Sequence, residues 1–404
     1  MANKEKLPEE DAALPYFHGA LMNQDADQLL VNDGDYMITM KMNKELNKMQ
    51  FFLAIHLKKG IRRYEIKRDN KTAKIANRSA ANIGKLVDSL KSEPTEIKGE
   101  KLILKRAIPK GKFQLMHKDV DFRKKLGSGA YGTVYRGRLT KTNTVIAVKK
   151  LDAENEEKKE ELLADMMKEA RVMQLYDHPN IVKFYGYILD DVPYLLVLEY
   201  CNGGSVEDRL VEKGPKLSSK TRTTFTYQAA CGIEYLHKKK WAKRSRRVFC
   251  HDLLVFSCIH RDIAARNCLI HKEVVKIADF GMCRAQSIYK VDLNKPTNLR
   301  WLAPEVWDNG ETRSNTDIYA FGIMMWEMFE IPYDTPYSQY KGYIVKQKVR
   351  DGFRPSVPKG MPEKVAEIMK ECWHQDPAKR PSAEKLREKL EELSGKDTVS
   401  LVAV

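Results

Sequence analysis

The sequence lacks the signals that direct a chain into a membrane or across one. No apolar run approaches the roughly 20 residues that a membrane-spanning helix needs. The start, Met1-Ala2-Asn3-Lys4, is not a signal peptide, and Ala2 stands where N-myristoylation requires glycine. The seven cysteines form no Cys-x-x-Cys pair, which fits a reducing compartment better than a disulfide framework. We therefore expect a cytoplasmic protein with no transmembrane segment, and peripheral attachment to a membrane stays open.

The composition is not that of a disordered or a nucleic-acid-binding protein. The 404 residues allow two or three domains, and 43% hydrophobic with 31% charged residues is ordinary for a globular chain. The formal net charge is +16, but lysine and arginine are spread along the whole sequence, and the dense patch Lys238–Arg247 contains no nucleic-acid-binding motif. We expect no nucleic-acid partner. A basic surface that attracts acidic peptides or anionic lipid, or one that is only solvated, is the better interpretation.

The first hundred residues predict a compact α+β module. Hydrophobic periodicity indicates a helix with Ala26, Leu29 and Leu30 on one side, then strands at Tyr36–Met40, Lys48–Leu57 and Ile61–Arg68, and a second helix at Ala81–Lys91. Residues 15–95 resemble a Src-homology-2 (SH2) domain. The resemblance rests on Phe17-His18-Gly19 at the entry, Leu29-Leu30 before Gly34, and Tyr36-Met37-Ile38 where the family has Phe-Leu-Val.

This module departs from the SH2 pattern where the family binds phosphotyrosine. The arginine of the Phe-Leu-Val-Arg motif falls on Thr39, and the family's helix arginine falls on Asn23. A hydroxyl or an amide cannot replace bidentate contact between guanidinium and phosphate. Arg62 and Arg63 could meet an anion, but we expect them to be solvated on an exposed strand. We therefore predict that the fold is kept and most phosphotyrosine affinity lost, and an intramolecular contact between the SH2 and kinase regions is an open alternative role.

A basic connector, residues 96–118, follows the module. It contains the run Arg106-Ala107-Ile108-Pro109-Lys110-Gly111-Lys112-Phe113. This run closely resembles the linker of Fes/Fer-type non-receptor tyrosine kinases. The resemblance indicates a specific type of kinase, which an SH2 domain followed by a kinase domain would not indicate by itself.

A glycine-rich loop comes next in the chain. Leu126-Gly127-Ser128-Gly129-Ala130-Tyr131-Gly132-Thr133-Val134 has the pattern Gly-x-Gly-x-x-Gly-x-Val. In dinucleotide-binding folds a helix follows the same glycine spacing. Here Thr133–Arg138 and Thr144–Leu151 are rich in β-branched residues and alternate, which predicts a hairpin and a strand. Glycines let such a hairpin bring its backbone close to a phosphate.

The strand after the hairpin and the helix beyond it predict an ion pair. Ala147 and Lys149 share one face of the strand, which places a small residue under adenine and an ammonium group near the α- and β-phosphates. Glu154–Tyr176 predicts a helix, with Leu162, Met166, Glu169 and Met173 on one stripe. A carboxylate in an apolar stripe is costly unless it is paired. We therefore predict that Glu169 pairs with Lys149.

The stretch His260–Asn267, His-Arg-Asp-Ile-Ala-Ala-Arg-Asn, has the residues that phosphoryl transfer needs. The Asp262 carboxylate can accept the proton of an attacking hydroxyl, and the Asn267 carboxamide can ligate magnesium. Val274–Ala278 predicts a short strand that leads into Asp279-Phe280-Gly281, and Asp279 would be the second magnesium ligand.

These motifs, in this order, resemble the protein-kinase fold over residues 119–394, with a tail at 395–404. The resemblance implies a bilobal domain with a β-rich N-lobe and a helical C-lobe, and ATP and Mg2+ as cofactors. It places Leu198 at the gatekeeper position and Glu199-Tyr200-Cys201-Asn202-Gly203-Gly204 at the hinge that binds adenine. The implied ATP contacts are Leu126, Gly127, Ser128, Gly129, Ala130, Tyr131, Gly132, Val134, Ala147, Lys149, Leu198, Glu199, Cys201 and Leu269. By the same resemblance Asp317 anchors the loop at His260–Asn267, and Arg380 pairs with Glu305.

Two features indicate tyrosine as the acceptor. Serine/threonine kinases usually carry lysine two residues after the catalytic aspartate, whereas this chain has Ala264 there and a cation at Arg266. Arg300-Trp301-Leu302-Ala303-Pro304-Glu305 resembles the substrate shelf of tyrosine kinases. Asn298 stands where the family commonly has proline before this shelf, and we expect it to soften the preference for the residue after the tyrosine.

Tyr289 is the only tyrosine between Asp279-Phe280-Gly281 and the shelf. A phosphate on Tyr289 could order this loop through Arg261, which precedes Asp262 in the chain. The sequence therefore predicts autophosphorylation at Tyr289. The alternative is an exposed tyrosine that is never modified.

An insertion at about residues 241–257 interrupts the kinase pattern just before Cys258-Ile259-His260. It begins basic and ends apolar. An inserted surface loop costs little closure entropy, so the domain can fold around it. Its apolar part could be a docking patch or an aggregation liability. A short intron retained in the coding sequence is the remaining alternative.

Taken together, the motifs predict a non-receptor protein-tyrosine kinase that transfers the γ-phosphate of ATP to tyrosine hydroxyls of protein substrates in intracellular signalling. Asp262, Arg266, Asn267, Lys149 and Glu169 are the predicted catalytic residues. The alternative is a catalytically impaired pseudokinase that serves as a scaffold with a degenerate SH2 module.

Overall fold

The computed structural model describes residues 8–43, 48–69, 71–129, 132–152, 156–239, 258–285, 288–292 and 298–395. These residues form two compact units. The first comprises residues 8–171 and 185–198, and the second comprises residues 172–184, 199–239 and 258–395. The predicted insertion at 241–257, Ala130 and Tyr131 of the glycine-rich loop, and all of the predicted tail except Gly395 lie outside the described residues.

The first unit begins with a mixed α+β module around a six-stranded sheet. Its helices are α1 (Glu9–Ala12), α2 (Asn23–Leu29) and α3 (Ile83–Ser92), and its strands are β1 (Asp35–Asn43), β2 (Lys48–Leu57), β3 (Gly60–Arg68), β4 (Ala73–Ile75), β5 (Arg78–Ala80), β6 (Thr95–Ile97), β7 (Glu100–Leu102) and β8 (Arg106–Ala107). The sheet has the order β5-β4-β3-β2-β1-β8, and β6 and β7 form a separate hairpin. Asp35 to Met40 on β1 are all buried, so this strand is covered on both faces.

The three long strands and both longer helices of this module follow the predicted pattern. Helix α3 begins after Asn82, whose side chain accepts a hydrogen bond from the backbone N–H of Lys85 and so caps the helix. The short strands β4, β5 and β8 extend the predicted three-strand meander to six strands. Strands of two or three residues contain no periodicity that a sequence pattern could detect.

The expectation that Arg62 and Arg63 are solvated is wrong. The Arg62 guanidinium donates to both carboxylate oxygens of Glu100, at 3.0 and 3.1 Å. Arg63 pairs with Asp27 and donates to the carbonyl oxygen of Asn23. Both arginines therefore hold parts of the module together.

The first unit continues with a second six-stranded sheet and a long helix. Its strands are β9 (Gln114–Leu115), β10 (Val120–Gly129), β11 (Gly132–Leu139), β12 (Val145–Lys150), β13 (Phe184–Ile188) and β14 (Leu195–Glu199), and its helix is α4 (Glu156–Met173). The strand order is β10-β11-β12-β14-β13-β9. On β12, Ile146 and Val148 are buried and pack in a core with Val120, Ile188, Leu195 and Val197. Alternation along β12 therefore leaves Ala147 and Lys149 on the opposite face.

The connector between the two sheets is ordered and contributes to both of them. Strand β8 pairs parallel with β1, and β9 pairs parallel with β13. The fully buried ring of His18 binds the carbonyl oxygen of Ile108 at 3.0 Å and the side chain of Gln114 at 2.9 Å. These bonds hold the connector against the first module.

Other contacts within the first unit join the first module to elements near the second sheet. The Arg171 guanidinium donates to both oxygens of Asp25, at 2.7 and 2.9 Å, and the Asp25 side chain is completely buried. The backbone N–H of Ala20 donates to the carbonyl oxygen of Leu189 at 2.9 Å. Gly19 has a φ of +59°, and a Cβ there would overlap that carbonyl oxygen, so glycine is required at this close approach.

The second unit is mainly helical. Its helices are α5 (Val206–Lys213), α6 (Ser219–Lys238), α7 (Pro304–Asn309), α8 (Ser314–Phe329), α9 (Gly342–Arg350), α10 (Glu363–Cys372) and α11 (Ala383–Ser394), and its short strands are β15 (Cys258–Ile259), β16 (Cys268–His271), β17 (Val274–Ile277), β18 (Arg284–Ala285), β19 (Tyr289–Lys290) and β20 (Glu311–Thr312). Every residue of α8 from Thr316 to Phe329 is buried, including the carboxylates Asp317 and Glu327. A helix that is buried on all sides is the centre of a domain core. None of the helices in the described ranges is both long and apolar enough to cross a membrane.

Candidate active site

The glycine-rich loop is a hairpin between β10 and β11. Gly129 lies opposite Gly132, and Val134 lies opposite Lys149 on the neighbouring strand β12. Gly132 has a φ of +128°, and a Cβ there would overlap the carbonyl oxygen of Lys150. A Cβ at Gly127, in contrast, would meet no atom of the described residues within 4 Å, so packing among those residues does not require glycine at that position. The hairpin backbone at Gly127 is therefore open to a ligand.

The structure contains the predicted ion pair. Lys149 Nζ lies 2.9 Å from Glu169 Oε2, and the side chains are 17% and 6% exposed. Met166 and Met173 on the same stripe of α4 are buried. An ion pair with so little solvent around it is screened much less than a surface pair.

The predicted hinge follows β14, on which Leu198 and Glu199 lie. The Glu199 carboxylate is 3.1 Å from Lys276 Nζ. Backbone hydrogen bonds from Gly203 to Ile270, at 2.8 Å, and from Ile270 to Gly204, at 2.9 Å, hold the segment after Cys201 against β16, which carries Leu269. Burial raises the pKa of the Cys201 thiol to about 12, so this cysteine is not a reactive thiolate.

The loop His260–Asn267 is attached to the buried carboxylate of Asp317. Asp317 accepts hydrogen bonds from the backbone N–H groups of His260 and Arg261, each at 2.8 Å, and contacts His237 Nε2 at 2.9 Å. Arg261 has a φ of +72°, in the left-handed region that non-glycine residues rarely adopt. Two bonds from consecutive N–H groups to one carboxylate hold this strained turn in place.

Three side chains converge on the Asp262 carboxylate, which is largely buried. Arg266 Nη2 donates to Oδ1 at 2.5 Å, and Asn298 Nδ2 donates to the same oxygen at 2.7 Å. Asn267 Nδ2 donates to Oδ2 at 2.7 Å, which leaves the Asn267 carboxamide oxygen directed elsewhere. The Arg266 guanidinium lies over the ring of Trp301, with 4.3 Å from Cζ to the ring centroid. This stacking fixes Arg266 beside Asp262.

A backbone hydrogen bond from the residue before Asp279 brings Asp279 close to Asn267. The N–H of Ala278 donates to the carbonyl oxygen of Asn267 at 2.9 Å, and the carbonyl oxygen of Ala278 binds His260 Nε2 at 3.1 Å. Asp279 itself has a φ of +59°, which, like that of Arg261, lies in the left-handed region. The side chains of Asp279 and Asn267 together offer carboxylate and carboxamide oxygens, which are the ligands that magnesium prefers.

Glu327, which is not among the predicted site residues, lies beneath the same loop. Its carboxylate accepts hydrogen bonds from the backbone N–H of Ala265 at 3.1 Å, from Trp301 Nε1 at 2.9 Å and from the Tyr333 hydroxyl at 3.0 Å. Burial raises the pKa of Glu327 to about 7, although these bonds and the nearby Arg266 act in the opposite direction. The sequence contains a signal for Glu327, which is a carboxylate among the apolar residues of α8, as Glu169 is a carboxylate in the apolar stripe of α4.

Tyr289 lies between two guanidinium groups. Arg261 Cζ is 4.0 Å from the centroid of the Tyr289 ring, and Arg284 Cζ is 5.2 Å from it. Burial, and then the positive charge of Arg284, lowers the pKa of Arg261. Arg261 also donates to the carbonyl oxygen of Met282 at 2.9 Å. The sequence predicted Arg261 near this tyrosine and did not predict Arg284.

Residues 120–390 of the chain match one known protein family. That family is described as protein tyrosine and serine/threonine kinase. The chain is 32% identical to the tyrosine-protein kinase Fer of Homo sapiens over 395 residues, which cover 96% of this chain and 44% of that protein. It is also 32% identical to the transforming protein Fps of avian sarcoma virus (strain PRCII) over 372 residues, which cover 91% of this chain and 65% of that protein.

A relative of similar length matches along almost the whole chain. Fer-related kinase 1 of Caenorhabditis elegans is 30% identical over 410 residues, which cover 97% of this chain and 98% of that protein. The chain spans 65% of the length of the Fps protein of avian sarcoma virus (strain PRCII), 40% of that of the Fps protein of Fujinami sarcoma virus and 44% of that of human Fer.

The raised pKa of Glu327 predicts how stability changes with pH. Its ordinary value is 4.5 and its value in the folded chain is about 7. Between these two values the unfolded chain loses the proton and the folded chain keeps it, so the free energy of unfolding falls as pH rises, by an amount on the order of 3 kcal/mol. Glu327→Gln removes this titration. Measured by urea unfolding from about pH 5 to about pH 8, the variant should gain stability relative to the wild type as pH rises. If the free energy of unfolding changes with pH by the same amount in both proteins, the raised pKa of Glu327 is contradicted.

Proposed function

This chain belongs to the Fes/Fer type of the protein tyrosine and serine/threonine kinase family, and we propose that it is an ATP-dependent protein-tyrosine kinase located in the cytoplasm. The observation that carries the proposal is the Asp262 carboxylate, which Arg266 and Asn267 hold on a loop attached to Asp317. A buried carboxylate held in this way is oriented to accept a proton from a hydroxyl group.

Asp262 is the proposed general base. The tyrosine oxygen forms a bond to the γ-phosphorus of ATP, the bond between that phosphorus and the bridging oxygen breaks, ADP leaves, and the phenolic proton passes to Asp262. Arg266 and Asn267 orient the carboxylate by hydrogen bonds at 2.5 and 2.7 Å. Orientation of this kind lowers the barrier because the reacting groups do not have to reorganise.

The remaining predicted residues hold the nucleotide in this proposal. Lys149, positioned by Glu169, binds the α- and β-phosphates, and the open backbone at Gly127 lets the hairpin approach them. The Asn267 carboxamide oxygen and the Asp279 carboxylate would hold Mg2+, which neutralises negative charge on the phosphates. The backbone of the segment at Glu199 and Cys201 binds adenine, with Ala147, Leu198 and Leu269 as apolar contacts.

Tyrosine is the proposed acceptor because of how the cation beside the base is held. Arg266 stacks on Trp301 of the predicted shelf while it donates to Asp262. Ala264, where serine/threonine kinases usually have lysine, is completely buried. A scaffold without activity is the weaker proposal, since Lys149, Asp262, Asn267 and Asp279 are all present.

The domain organisation we propose is an SH2-like module at 15–95, a connector at 96–118 and a kinase domain at 119–394. We propose further that the module braces helix α4 and does not recruit phosphotyrosine. The buried Asp25–Arg171 pair and the salt bridge between Lys41 and Glu160, at 3.3 Å, support the bracing role. Thr39 and Asn23 line a cavity of about 510 Å3 that residues of α4 also line, among them Lys159, Glu160 and Leu163.

Replacing the base should abolish activity. Asp262→Asn keeps the size of the side chain but replaces one acceptor oxygen with an NH2 group and cannot take up the proton. Phosphate transfer from ATP to a copolymer of glutamate and tyrosine should therefore fall by about 100-fold or more. Asp308→Asn, the same change on an exposed aspartate of α7, is the matched control and should retain wild-type rates. Equal activity of Asp262→Asn and wild type would refute the proposed function.

Tyr289 is proposed as the autophosphorylation site, because a phosphate there would lie within reach of Arg261 and Arg284. Incubation with ATP should raise wild-type activity several-fold, and Tyr289→Phe should abolish this rise. Tyr343→Phe, which alters a tyrosine that is 72% exposed on α9, is the control. The proposal fails if mass spectrometry of the active enzyme finds Tyr289 unmodified and Tyr289→Phe keeps full activity.

The SH2-like module should bind phosphotyrosine peptides weakly. The guanidinium groups of Arg62 and Arg63 are already engaged by Glu100 and Asp27, and Thr39 replaces the phosphate-binding arginine. Isothermal titration of the full chain with phosphotyrosine peptides should therefore show no binding in the micromolar range. Micromolar binding that disappears when the same peptide is dephosphorylated would contradict this prediction.

A further inference from the structure

Asn298 makes a contact that its place in the sequence did not predict. Its side-chain amide donates a 2.7 Å hydrogen bond to Asp262 Oδ1, across 36 positions of the chain. The residue is exposed to solvent, whereas Asp262 is largely buried. The amide therefore approaches the proposed base from the side that solvent, and hence a substrate, can reach.

The Asp262 carboxylate has little acceptor capacity left. An ionised carboxylate offers about four lone-pair positions. Arg266 and Asn298 occupy Oδ1, and Asn267 occupies one position on Oδ2. A tyrosine hydroxyl has to donate to this same carboxylate before its proton can be transferred.

Of the three donors, Asn298 is the easiest to displace. Arg266 carries a full charge and stacks on Trp301. Asn267 is held twice, because its amide also donates to the backbone carbonyl oxygen of Asp262 at 2.8 Å. Asn298 is neutral and exposed, and water can replace the hydrogen bond that it loses.

The backbone does not require asparagine at this position. Asn298 has a φ of −77°, which lies within the range that proline adopts. Proline, the residue that tyrosine kinases commonly carry before the shelf, would therefore fit the local conformation. What asparagine adds in this chain is the side-chain amide and its bond to Asp262.

We propose that the tyrosine hydroxyl is received at Asp262 Oδ1, where the Asn298 amide competes with it and must be displaced before transfer. This inference rests on the proposed function, in which Asp262 is the base. Asn298 is a specificity-determining residue that acts through Asp262. The fraction of enzyme with Asn298 displaced limits the apparent affinity for tyrosine substrates and leaves the rate of transfer after binding unchanged.

Steady-state kinetics of Asn298→Ala and Asn298→Pro test the competition. Both variants remove the amide, and the proline variant keeps the observed φ. Relative to wild type, the KM for a copolymer of glutamate and tyrosine should fall by about two- to tenfold, with kcat and the KM for ATP unchanged. A copolymer of glutamate and phenylalanine serves as a competitive inhibitor. It has no hydroxyl to compete with the amide, so its inhibition constant should be the same in all three proteins.

Two results would contradict the competition between Asn298 and the substrate hydroxyl. An unchanged or raised KM for the tyrosine copolymer overturns the inference. If the inhibition constant of the phenylalanine copolymer falls in parallel, the substitution reshapes the shelf and the inference is also wrong. Thermal unfolding shows which variants are folded, and either one is sufficient for the test. If activity survives Asp262→Asn, the proposed function is refuted. If activity depends on Asp262 but the Asn298 variants have wild-type kinetics, only the proposed competition is refuted.

Discussion

The helical unit is built around a buried helix that carries two carboxylates, and the need to satisfy these carboxylates determines the shape of the predicted catalytic loop. An ionisable group inside a core is costly unless hydrogen bonds replace the water that it has lost. Asp317 obtains its bonds from the N–H groups of His260 and Arg261, and Glu327 obtains one from Ala265. The loop thus spans two fixed acceptors on α8. Asp262 lies between these attachment points in the chain, so its position follows from the packing of α8.

A buried carboxylate in the first unit also needs a partner, and there the partner is a lysine side chain. Glu169 lies in an apolar stripe of α4, and Lys149 satisfies it. Replacing a buried pair with apolar residues is often neutral or stabilising, so such a pair is weak evidence for a role in stability. A lysine held at a defined place beside a glycine hairpin is better explained by binding of phosphate. The pair Asp25–Arg171 is buried in a similar way, but it joins two modules of the first unit.

Much of the architecture could be predicted because it depends on periodic patterns. Strands β2 and β12 and helix α4 each contain several repeats of their period, and the predicted bounds differ from the observed ones by only a few residues at the ends. Strands β8 and β9 could not be predicted, because two residues contain no period and the pairing depends on the partner sheet. The ion pair of Glu169 was predicted from its apolar neighbours. Glu327 has the same signal, but its partners Trp301 and Tyr333 are brought to it only by the fold.

The departures from the family pattern share a physical consequence, although they lie in different units. In the first module, Thr39 stands where the proposed SH2 likeness places a phosphate-binding arginine, and Arg62 and Arg63 are engaged by Glu100 and Asp27. At the shelf, Asn298 adds a donor that proline lacks, and that donor is engaged by Asp262. In both places hydrogen-bonding capacity that an external tyrosine or phosphotyrosine would use is spent inside the chain. A ligand must then replace an internal bond instead of a bond to water, so its net gain is smaller and its affinity lower. On these two proposals, lower affinity at both places would favour substrates that are present at high local concentration over those that the enzyme must capture from dilute solution.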